Sequence, residues 1–441
     1  MDYDVLFIGS GQGAWNGAIP MSQAGLKVCV VEEGQFGGTC TNRGCNAKIT
    51  LDRPIELLQQ VKQLQGKGFD SIPTINWPDL MAHKHEVIDG LAFSNEQKLS
   101  TAGVAIIKGH ATFIDDHTLQ IADQTVTADK IVIVSGQRPH RLDIPGRELM
   151  HDSTDFLVIP EMPQHLTIIG GGYVGMEFAS IANAAGAQVT VILRGHQPLK
   201  DFYQPHVTQL IATMRAAGIT FNYDVNIQAV TQNKNGLTLH GANGFTLDTD
   251  YIIDATGRIP NTEALNLDKI GIHYDAHGIQ VNDYLQTNID HIYATGDVVA
   301  KSQPKITPVA IFESQYLAHQ FTNETSEPIN YPAIATTVFT MPRISQVGIN
   351  IAAAKQDSRY TIENFDYTND WYRQVGNDNA GSLILAFDEK NHLVGASEYS
   401  NDAVNTINGL VDMIELGVDH ERVERLIYTF PSNQHSYFRK I

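Results

Sequence analysis

Two closely spaced cysteines have the most distinctive chemistry in this chain. Its 441 residues include only three cysteines, Cys29, Cys40 and Cys45. So few cysteines argue against a disulfide-stapled secreted fold, and a close pair is then more typical of redox or metal chemistry. A metal site is the weaker interpretation, because Cys29 lies in an apolar strand-like run and is expected in the core. Cys40 and Cys45 are therefore the candidate reactive thiols.

The spacing of these two thiols restricts the backbone between them. Residues five apart in an ideal helix lie about 140° apart around the axis, with Cα atoms roughly 8.6 Å apart. A disulfide needs Cα atoms within about 7 Å of each other. A bond between Cys40 and Cys45 thus requires a distorted helix, which Gly44 permits.

A glycine-rich turn near the start of the chain predicts a dinucleotide site. Residues 4–33 are predicted to form strand, turn, helix and strand, and the turn reads Gly9-x-Gly11-x-x-Ala14. Small residues there let the backbone approach a pyrophosphate at the N-terminus of the following helix. Glu32 ends the second strand, where a carboxylate accepts hydrogen bonds from a ribose diol. This chemistry suits FAD or NAD.

A second unit of the same kind spans residues 166–194 but has different ribose chemistry. Glycines occupy the first, third and sixth positions of its turn at 170–175. The position equivalent to Glu32 is Leu193, and the cations Arg194 and His196 follow it. Since a missing carboxylate and nearby cations favour a 2′-phosphate, we expect NADPH here, with NADH the less favoured cofactor.

The segment from Gly37 to Lys48 resembles the redox-active disulfide motif of the pyridine nucleotide–disulfide oxidoreductases. This is the group of glutathione reductase, dihydrolipoyl dehydrogenase and mercuric reductase. The matching residues are Gly37-Gly38-Thr39-Cys40, Asn42, Gly44-Cys45 and Lys48. Further matches follow in the family's order and extend the resemblance over essentially the whole chain. They lie at 110–111, 134–136, 255–261, 294–298, 306–310, 338–342 and 347–348.

The resemblance implies an order of electron transfer and a role for each reactive residue. Electrons would pass from NADPH to FAD, then to a Cys40–Cys45 disulfide and on to a small acceptor. Cys45 would face the flavin as the charge-transfer thiolate, and Cys40 would attack the acceptor. Lys48 would serve the flavin and pair with Glu177. The catalytic residues predicted in this way are Cys40, Cys45, Lys48 and Glu177.

The glycine turns and the resemblance together predict which residues bind FAD and NADPH. Tyr173 is expected to gate the nicotinamide pocket, and Asp297 to bind FAD near its ribityl and phosphate groups. No metal-ligating residues are predicted. The predicted cofactor-binding residues are Gly9, Gly11, Gly13, Ala14, Glu32, Glu33, Gly38, Thr39, Lys48, His110, Ala111, Ser135, Gly136, Asp297, Thr307, Gly170, Gly172, Tyr173, Val174, Arg194, His196 and Gly257.

The sequence departs from the family near its C-terminus, where disulfide reductases carry a histidine base that serves the partner subunit. That position is Phe430 here, and the position of the acid that orients the base is His435. A phenyl ring cannot transfer a proton, which argues against efficient reduction of a bulky disulfide. His435 is either a displaced base or a surface histidine. The motif's proline is also replaced, by Ala47, and no cysteine follows Cys45, which weakens a mercury assignment.

The final electron acceptor is left open by these residues. The favoured function is a glutathione-reductase-like flavoprotein that reduces a small acceptor through its dithiol. Alternatives within the family are a metal-ion reductase of the Cu or Hg type and an NAD(P)H oxidase. A flavin-based redox sensor is the alternative from another class. The acceptors to consider are a small disulfide, a metal ion, a quinone and oxygen.

The elements around these residues predict an α/β fold with two Rossmann-like dinucleotide-binding domains and a C-terminal α+β dimerisation domain. The predicted FAD-binding domain spans 1–146 and continues at 262–327, around a nucleotide-binding domain at 147–261. A dimerisation domain is predicted at 328–441, and the resemblance implies a homodimer. Alternating apolar and polar residues predict a β-meander at 104–134 and another at 219–254.

The composition excludes several classes of protein. A hydrophobic fraction of 42% supplies ample core, and a net charge of −19 disfavours nucleic acid and anionic lipid as partners. No apolar run approaches the roughly 18 residues of a membrane helix. No signal peptide is recognisable, so we expect a cytoplasmic protein.

Overall fold

The computed structural model describes residues 1–438 and confirms the predicted α/β class. Its strands are β1 (Tyr3–Ile8), β2 (Val28–Glu32), β3 (Ala105–Lys108), β4 (Ala111–Phe113), β5 (Thr118–Ile121), β6 (Gln124–Ile133), β7 (Gln137–Pro139), β8 (His165–Ile169), β9 (Gln188–Ile192), β10 (Thr220–Asn222), β11 (Ile227–Gln232), β12 (Leu237–Gly241), β13 (Thr246–Thr249), β14 (Tyr251–Asp254), β15 (Arg258–Pro260), β16 (Tyr274–Asp275), β17 (Gly278–Ile279), β18 (Ile292–Ala294), β19 (Thr336–Val338), β20 (Arg343–Gly348), β21 (Thr361–Asp366), β22 (Gly381–Phe387) and β23 (Leu393–Ser400).

Its helices are α1 (Gln12–Gln23), α2 (Gly38–Arg43), α3 (Cys45–Gln63), α4 (Trp77–Ile88), α5 (Leu91–Thr101), α6 (Ser153–Phe156), α7 (Tyr173–Ala184), α8 (Gln204–Ala216), α9 (Leu267–Ile270), α10 (Thr307–Phe321), α11 (Ile351–Ala354), α12 (Trp371–Val375), α13 (Ala403–Glu415), α14 (His420–Glu424) and α15 (Asn433–Phe438). Short 3₁₀ helices lie at Arg147–Leu149, Ala242–Gly244, Glu263–Leu265 and Gly296–Val298.

The chain folds into two compact units, each built from three stretches of sequence. The first unit comprises 1–50, 81–140 and 257–330. The second comprises 51–80, 141–256 and the chain from Tyr331 onward. The domain boundaries expected from the sequence stay a prediction.

A seven-stranded sheet lies at the centre of the first unit, in the order β3-β2-β1-β6-β5-β4, with β18 also paired to β6. β1 runs parallel to both neighbours, and Leu6 stands opposite Cys29 and Ile131. Successive side chains of β1 point into two different apolar cores. Leu6 belongs to one core, and Phe7 belongs to the other. Because both faces are covered, these strands are continuous apolar runs rather than alternating ones. Cys29 is fully buried, as predicted.

The predicted meanders are wrong at their outer strands. β3 pairs in parallel with β2, and only β4, β5 and β6 form antiparallel hairpins. The second predicted meander differs in the same way: β10 and β14 join a parallel sheet, and β11, β12 and β13 are antiparallel. β3 and β10 follow helical crossovers and therefore return in the parallel direction, and β14 pairs in parallel with the distant strand β8. A local alternation of residues encodes neither kind of pairing.

The second unit contains two larger sheets. A parallel sheet in the order β10-β9-β8-β14 carries the second glycine turn, and an antiparallel sheet in the order β19-β20-β23-β22-β21 forms the C-terminal part. His206 of α8 links them, because its ring nitrogens lie 3.0 Å from Ser397 Oγ and 3.1 Å from Ser382 Oγ. Burial lowers the pKa of His206 to about 4, so the ring is neutral at pH 7.

Candidate active site

The two candidate thiols lie on either side of a break between two helices. Cys40 is in α2, and Cys45 is the first residue of α3. Gly44 separates them with φ −148° and ψ −120°, outside the helical region. A Cβ there would lie 2.8 Å from the carbonyl oxygen of Thr39, so glycine is required for this close approach. The distortion expected between the cysteines is confirmed, and both residues are thiols in this structure.

The two thiols have opposite acidities. The pKa of Cys45 is lowered to about 6, first by a hydrogen bond with Cys40 and further by Thr307 and the positive charge of Lys48. The same hydrogen bond, together with burial, raises the pKa of Cys40. Thr307 Oγ1 lies 3.6 Å from Cys45 Sγ and can donate to a thiolate. When the pair loses its first proton, the negative charge therefore lies on Cys45, and Cys40 stays a thiol.

The reduced protein is expected to show this acidity in its alkylation rate. Reaction of Cys45 with iodoacetamide should rise with pH and reach half its maximum near pH 6, because only the thiolate reacts. Lys48→Met should move the midpoint to higher pH, since it removes a charge that favours the thiolate. The matched control is Lys62→Met, which removes an equal charge near the other end of α3. Equal midpoints in the wild type and Lys48→Met would contradict the assignment.

Helix α10 brings Thr307 to Cys45 and is itself anchored by a buried carboxylate. Glu313, fully buried, accepts the Gly296 N–H at 2.6 Å and the Lys301 ammonium at 2.5 Å. The neighbouring Lys305 donates to the carbonyl oxygens of Asp297, at 3.0 Å, and His277, at 2.7 Å. These bonds fix the turn that carries the predicted FAD ligand Asp297.

The first glycine turn fits a dinucleotide pyrophosphate. The N-terminus of α1 follows Gly11 and has no side-chain cap, so its N–H groups can serve a ligand. Gly38, at φ +64°, approaches so closely that a Cβ on it would lie 2.8 Å from the Cα atom of Gly11. The predicted small residues Gly13 and Ala14 are buried at the start of the same helix.

Glu32 lies at the end of β2, as its predicted contact with a ribose requires. Its carboxylate accepts hydrogen bonds from the Ser10 N–H, at 3.0 Å, and from the Ser10 hydroxyl, at 2.6 Å. Gly34 donates to the second oxygen at 2.7 Å. The neighbouring Glu33 pairs with His110 at 2.7 Å, and this contact contributes to a raised His110 pKa, after a hydrogen bond with the Ala264 carbonyl. Ser10 is an orienting residue that the glycine pattern did not predict.

The remaining predicted FAD residues of the first unit lie on turns, in strand β4 and in helix α2. Ser135 donates to the Asn261 carbonyl oxygen at 2.7 Å, and Gly136 has φ +69° with open space beside it. Ala111 is buried in β4, whereas Thr39 is half-buried in α2. Their contacts with a cofactor stay predictions.

The second glycine turn, in the other unit, has the same local features. A Cβ on Gly170 would lie 2.3 Å from the Ala255 carbonyl oxygen, whereas Gly172 is open and begins α7 without a side-chain cap. Beyond β9, Leu193 is buried, and Arg194 is exposed. His196 is also exposed, with Asp224 3.9 Å away. This edge offers no carboxylate at the Leu193 position and at least one exposed cation.

The other predicted residues of this unit lie around α7. Tyr173 begins the helix with 45% of its surface exposed, next to the partly buried Val174. Glu177 is buried, and its carboxylate accepts the Phe339 N–H at 2.8 Å. Its predicted pairing with Lys48 stays a prediction. Gly257 belongs to the first unit and has φ +152° with open space beside it.

Comparison with known proteins identifies the family. Residues 3–314 match the family model described as pyridine nucleotide-disulphide oxidoreductase, and residues 334–437 match the model of its dimerisation domain. The chain belongs to this family. It is therefore an oxidoreductase that uses FAD and a pyridine nucleotide, of the glutathione-reductase-like kind, as the sequence predicted.

Relatives with several activities resemble this oxidoreductase to a similar degree. It is 30% identical to a glutathione reductase from a Nostoc species, covering 99% of this chain and 98% of the relative. A mercuric reductase from Staphylococcus aureus is 33% identical, and the match covers 80% of this chain and 65% of the relative. Among solved structures, the HOCl-induced flavoprotein disulfide reductase RclA from Escherichia coli is 25% identical, with a TM-score of 0.89 and 98% of both chains covered. A Cu(II) complex of RclA matches equally well.

Two kinds of feature are absent from the described part of the oxidoreductase. Among the side chains that the structure describes, which exclude His420, no three or more His, Cys, Asp or Glu residues are grouped so that they could hold a metal ion. Over the same residues, no helix is both long and apolar enough to cross a bilayer.

Proposed function

We propose that this oxidoreductase takes electrons from NADPH and passes them through Cys40 and Cys45 to a small acceptor. Bound FAD would accept the hydride from NADPH. The first candidate acceptor is a low-molecular-weight disulfide. The enzyme is proposed to act as a homodimer, which the match to a dimerisation domain supports. A cytoplasmic location completes the proposal and agrees with the low cysteine content.

The observation that carries the proposal is the unequal acidity of the two thiols. With its pKa lowered to about 6, Cys45 is ionised at pH 7, whereas Cys40 is held protonated beside it. A dithiol of this kind has one partner that holds negative charge and one that can be deprotonated to attack. In the reaction, Cys40 attacks a disulfide RSSR and releases one RSH. Cys45 then displaces the second RSH, so the Cys40–Cys45 disulfide forms as RSSR is reduced to two thiols.

The preference for NADPH rests on the end of β9. Leu193 is buried and carries no charge that would repel a 2′-phosphate. Arg194 is exposed and can form charge-assisted hydrogen bonds with the phosphate. His196 can add to this when it is protonated.

Cu(II) is the second candidate acceptor, and two observations favour it. RclA, which shares the fold and 25% of the sequence, has been solved as a Cu(II) complex. In addition, Phe430 occupies the position where the family resemblance implies a histidine base, and metal reduction requires no proton for a leaving thiol. The balanced reaction takes two Cu(II) ions to two Cu(I) ions as the dithiol becomes a disulfide and releases two protons.

Phe430→His is expected to favour disulfides over Cu(II). A histidine at this position restores a group that can protonate a leaving thiol, so we expect about a tenfold gain in kcat for a small disulfide, below the limit of positioned acid–base catalysis. The Cu(II) rate should not change. Phe430→Leu is the matched control, because it removes the ring without adding a base. Equal disulfide rates in the histidine and leucine variants would contradict the role assigned to this position.

A screen of acceptors with NADPH tests the proposed function as a whole. The holoenzyme would be assayed with small disulfides, Cu(II), Hg(II), quinones and oxygen under otherwise equal conditions. The proposal predicts turnover with a disulfide or with Cu(II) that exceeds turnover with oxygen. Oxygen as the fastest acceptor would instead support an NAD(P)H oxidase, and a single slow reduction without turnover would support a redox sensor.

A further inference from the structure

Helix α3, which begins at the reactive Cys45, also carries a buried acid that the proposed reaction does not use. Asp52 is 1% exposed and lies two turns after Cys45 and one turn after Lys48. Residues four and seven apart share one face of a helix, so Asp52 follows the thiol and its cation on that face, about 10 Å of helix rise beyond Cys45. An uncompensated negative charge there would oppose the Cys45 thiolate.

Arg343 of β20 supplies the compensating charge. Its Nη2 donates to Asp52 Oδ2 at 2.9 Å and lies 3.2 Å from Glu56 Oε2. Glu56 is also paired with Arg53 at 2.6 Å. Two arginines therefore balance two carboxylates. The Arg343 side chain is only 5% exposed, whereas that of Arg53 is 62% exposed, so the Arg343–Asp52 half of the network is buried and the Arg53 half is solvated.

Burial gives this ion pair an electrostatic effect that a surface pair would lack. Removing one partner of a buried pair leaves an uncompensated charge in poorly solvated surroundings. Such a charge is screened much less by salt and water than an exposed one. Without Arg343, the nearest cation along α3 for Asp52 would be Lys48, one turn earlier. The positive charge of Lys48, which favours the Cys45 thiolate, would then be shared with Asp52.

The segment that carries Arg343 also holds the predicted catalytic acid Glu177. The guanidinium carbon of Arg343 lies 4.8 Å from the ring centroid of Phe339, a cation–π contact. The Phe339 N–H donates to the buried Glu177 carboxylate at 2.8 Å. Arg343 therefore pairs with one buried carboxylate, Asp52, and supports the residue that orients another.

Other titratable groups on the neighbouring elements have interactions of their own. On β23, which pairs with β20, Glu398 is fully buried and its pKa is raised to about 7 by burial. The Ser400 hydroxyl donates to it, and the charge of Arg373 opposes the rise. On the side of the dithiol, Cys40 of α2 is hydrogen-bonded to Cys45, and Asp297 acts on Cys40. Substitutions at Arg343 or Asp52 leave all of these groups in place.

We propose that Arg343 is a positioning residue for the dithiol, which holds Asp52 in a buried ion pair so that the charge of Lys48 acts on Cys45 rather than on Asp52. The inference rests on the proposed function, in which Cys45 is the thiolate, and adds the residue that keeps α3 electrically balanced. Arg343 acts through Asp52 and Lys48, so its effect is expected in the acidity of Cys45.

The pH midpoint of Cys45 alkylation in the reduced, FAD-loaded full chain tests the proposal. Arg343→Met should raise the midpoint by about 0.5–1 pH unit, the effect of one uncompensated charge about 10 Å away in partly solvated protein. Asp52→Asn should lower the midpoint, because the charge of Arg343 is then in excess. The double variant should return to near the wild-type midpoint, because it removes both charges. Iodoacetamide labelling of the Cys45 peptide, measured by mass spectrometry, gives each midpoint.

Opposite shifts in the two single variants support the proposal, because a purely structural disturbance of α3 would not change sign with the charge removed. Equal midpoints in the wild type and Arg343→Met overturn it, as do shifts of the same sign in both single variants. If Arg343→Met does not fold, Asp52→Asn decides alone: a lowered midpoint supports the proposal, and an unchanged or raised one overturns it.

Arg53→Met is the matched control, because it removes an equal charge from the solvated half of the same network. It should shift the midpoint much less than Arg343→Met, since exposed charges are screened. An equal shift would overturn the proposal by showing a general effect of net charge. The proposed function is measured separately, as the NADPH-dependent appearance of thiols at Cys40 and Cys45, so its failure is distinguishable from a failure at Arg343.

Discussion

Replacing Cys45 with serine should lower the rate of acceptor reduction by NADPH on the order of 10³-fold or more, because the hydroxyl cannot form the sulfur–sulfur bond that carries the electron pair. Cys40→Ser should do the same, since the pair works as one unit and the loss of either thiol prevents the disulfide from forming. The effects of the two substitutions should therefore not add in the double variant. Steady-state rates with the preferred acceptor of the screen measure all three variants.

The third cysteine supplies the control for this experiment. Cys29 is buried in β2 and has its pKa raised to about 12 by burial, so it is not a reactive thiol. Cys29→Ala should keep the wild-type rate, at some cost in stability from the lost side-chain contacts. If Cys40→Ser kept full turnover with oxygen and the wild type reduced nothing else, the protein would be an oxidase in which the dithiol has no role.

Arg194→Ala should lower kcat/KM for NADPH about 10- to 100-fold and leave kcat/KM for NADH nearly unchanged. A hydrogen bond to a charged group contributes about 1.5–3 kcal/mol, and the 2′-phosphate is the only difference between the two nucleotides. Leu193→Glu should act in the same direction, because it restores a carboxylate where NAD-binding sites carry one. Initial rates measured over a range of each nucleotide, at a fixed acceptor concentration, give kcat/KM for NADPH and for NADH.

Lys234→Ala is the matched control for this series. Lys234 is an exposed cation in the same unit, on the turn between β11 and β12, and its removal changes the net charge equally. If Arg194→Ala and Lys234→Ala lowered kcat/KM for NADPH equally, the effect would come from general electrostatics rather than from recognition of the 2′-phosphate. A wild type that uses NADH as well as NADPH would show that the interpretation of Leu193 and Arg194 is wrong.

The sequence predicted the parts of this molecule that depend on local patterns. Both glycine turns precede helices without side-chain caps, because close backbone approach and free N–H groups require small residues at fixed spacing. The break between Cys40 and Cys45 was expected from helix geometry on the condition that the two residues form a disulfide, which the family resemblance implied. The order and class of the elements followed from continuous apolar runs, which are typical of strands covered on both faces.

Features that depend on contacts between distant segments were not predicted. Glu313 is an ordinary helix residue in the sequence, and only the fold shows that it anchors the turn at Gly296 and pairs with Lys301. β3 was assigned to a meander because its parallel partner β2 lies more than 70 residues earlier. The contact between Trp371 and Phe430 joins segments that no periodic pattern connects.

The central claim is that Cys40 and Cys45 carry the electrons, and thiol counting by mass spectrometry tests it most directly. The oxidised holoenzyme is incubated without oxygen, with or without one equivalent of NADPH per chain, and is then quenched with N-ethylmaleimide. The account predicts that both cysteines are unlabelled before NADPH is added and both are labelled afterwards, with Cys29 the same in the two samples. Equal labelling of Cys40 and Cys45 with and without NADPH would contradict it.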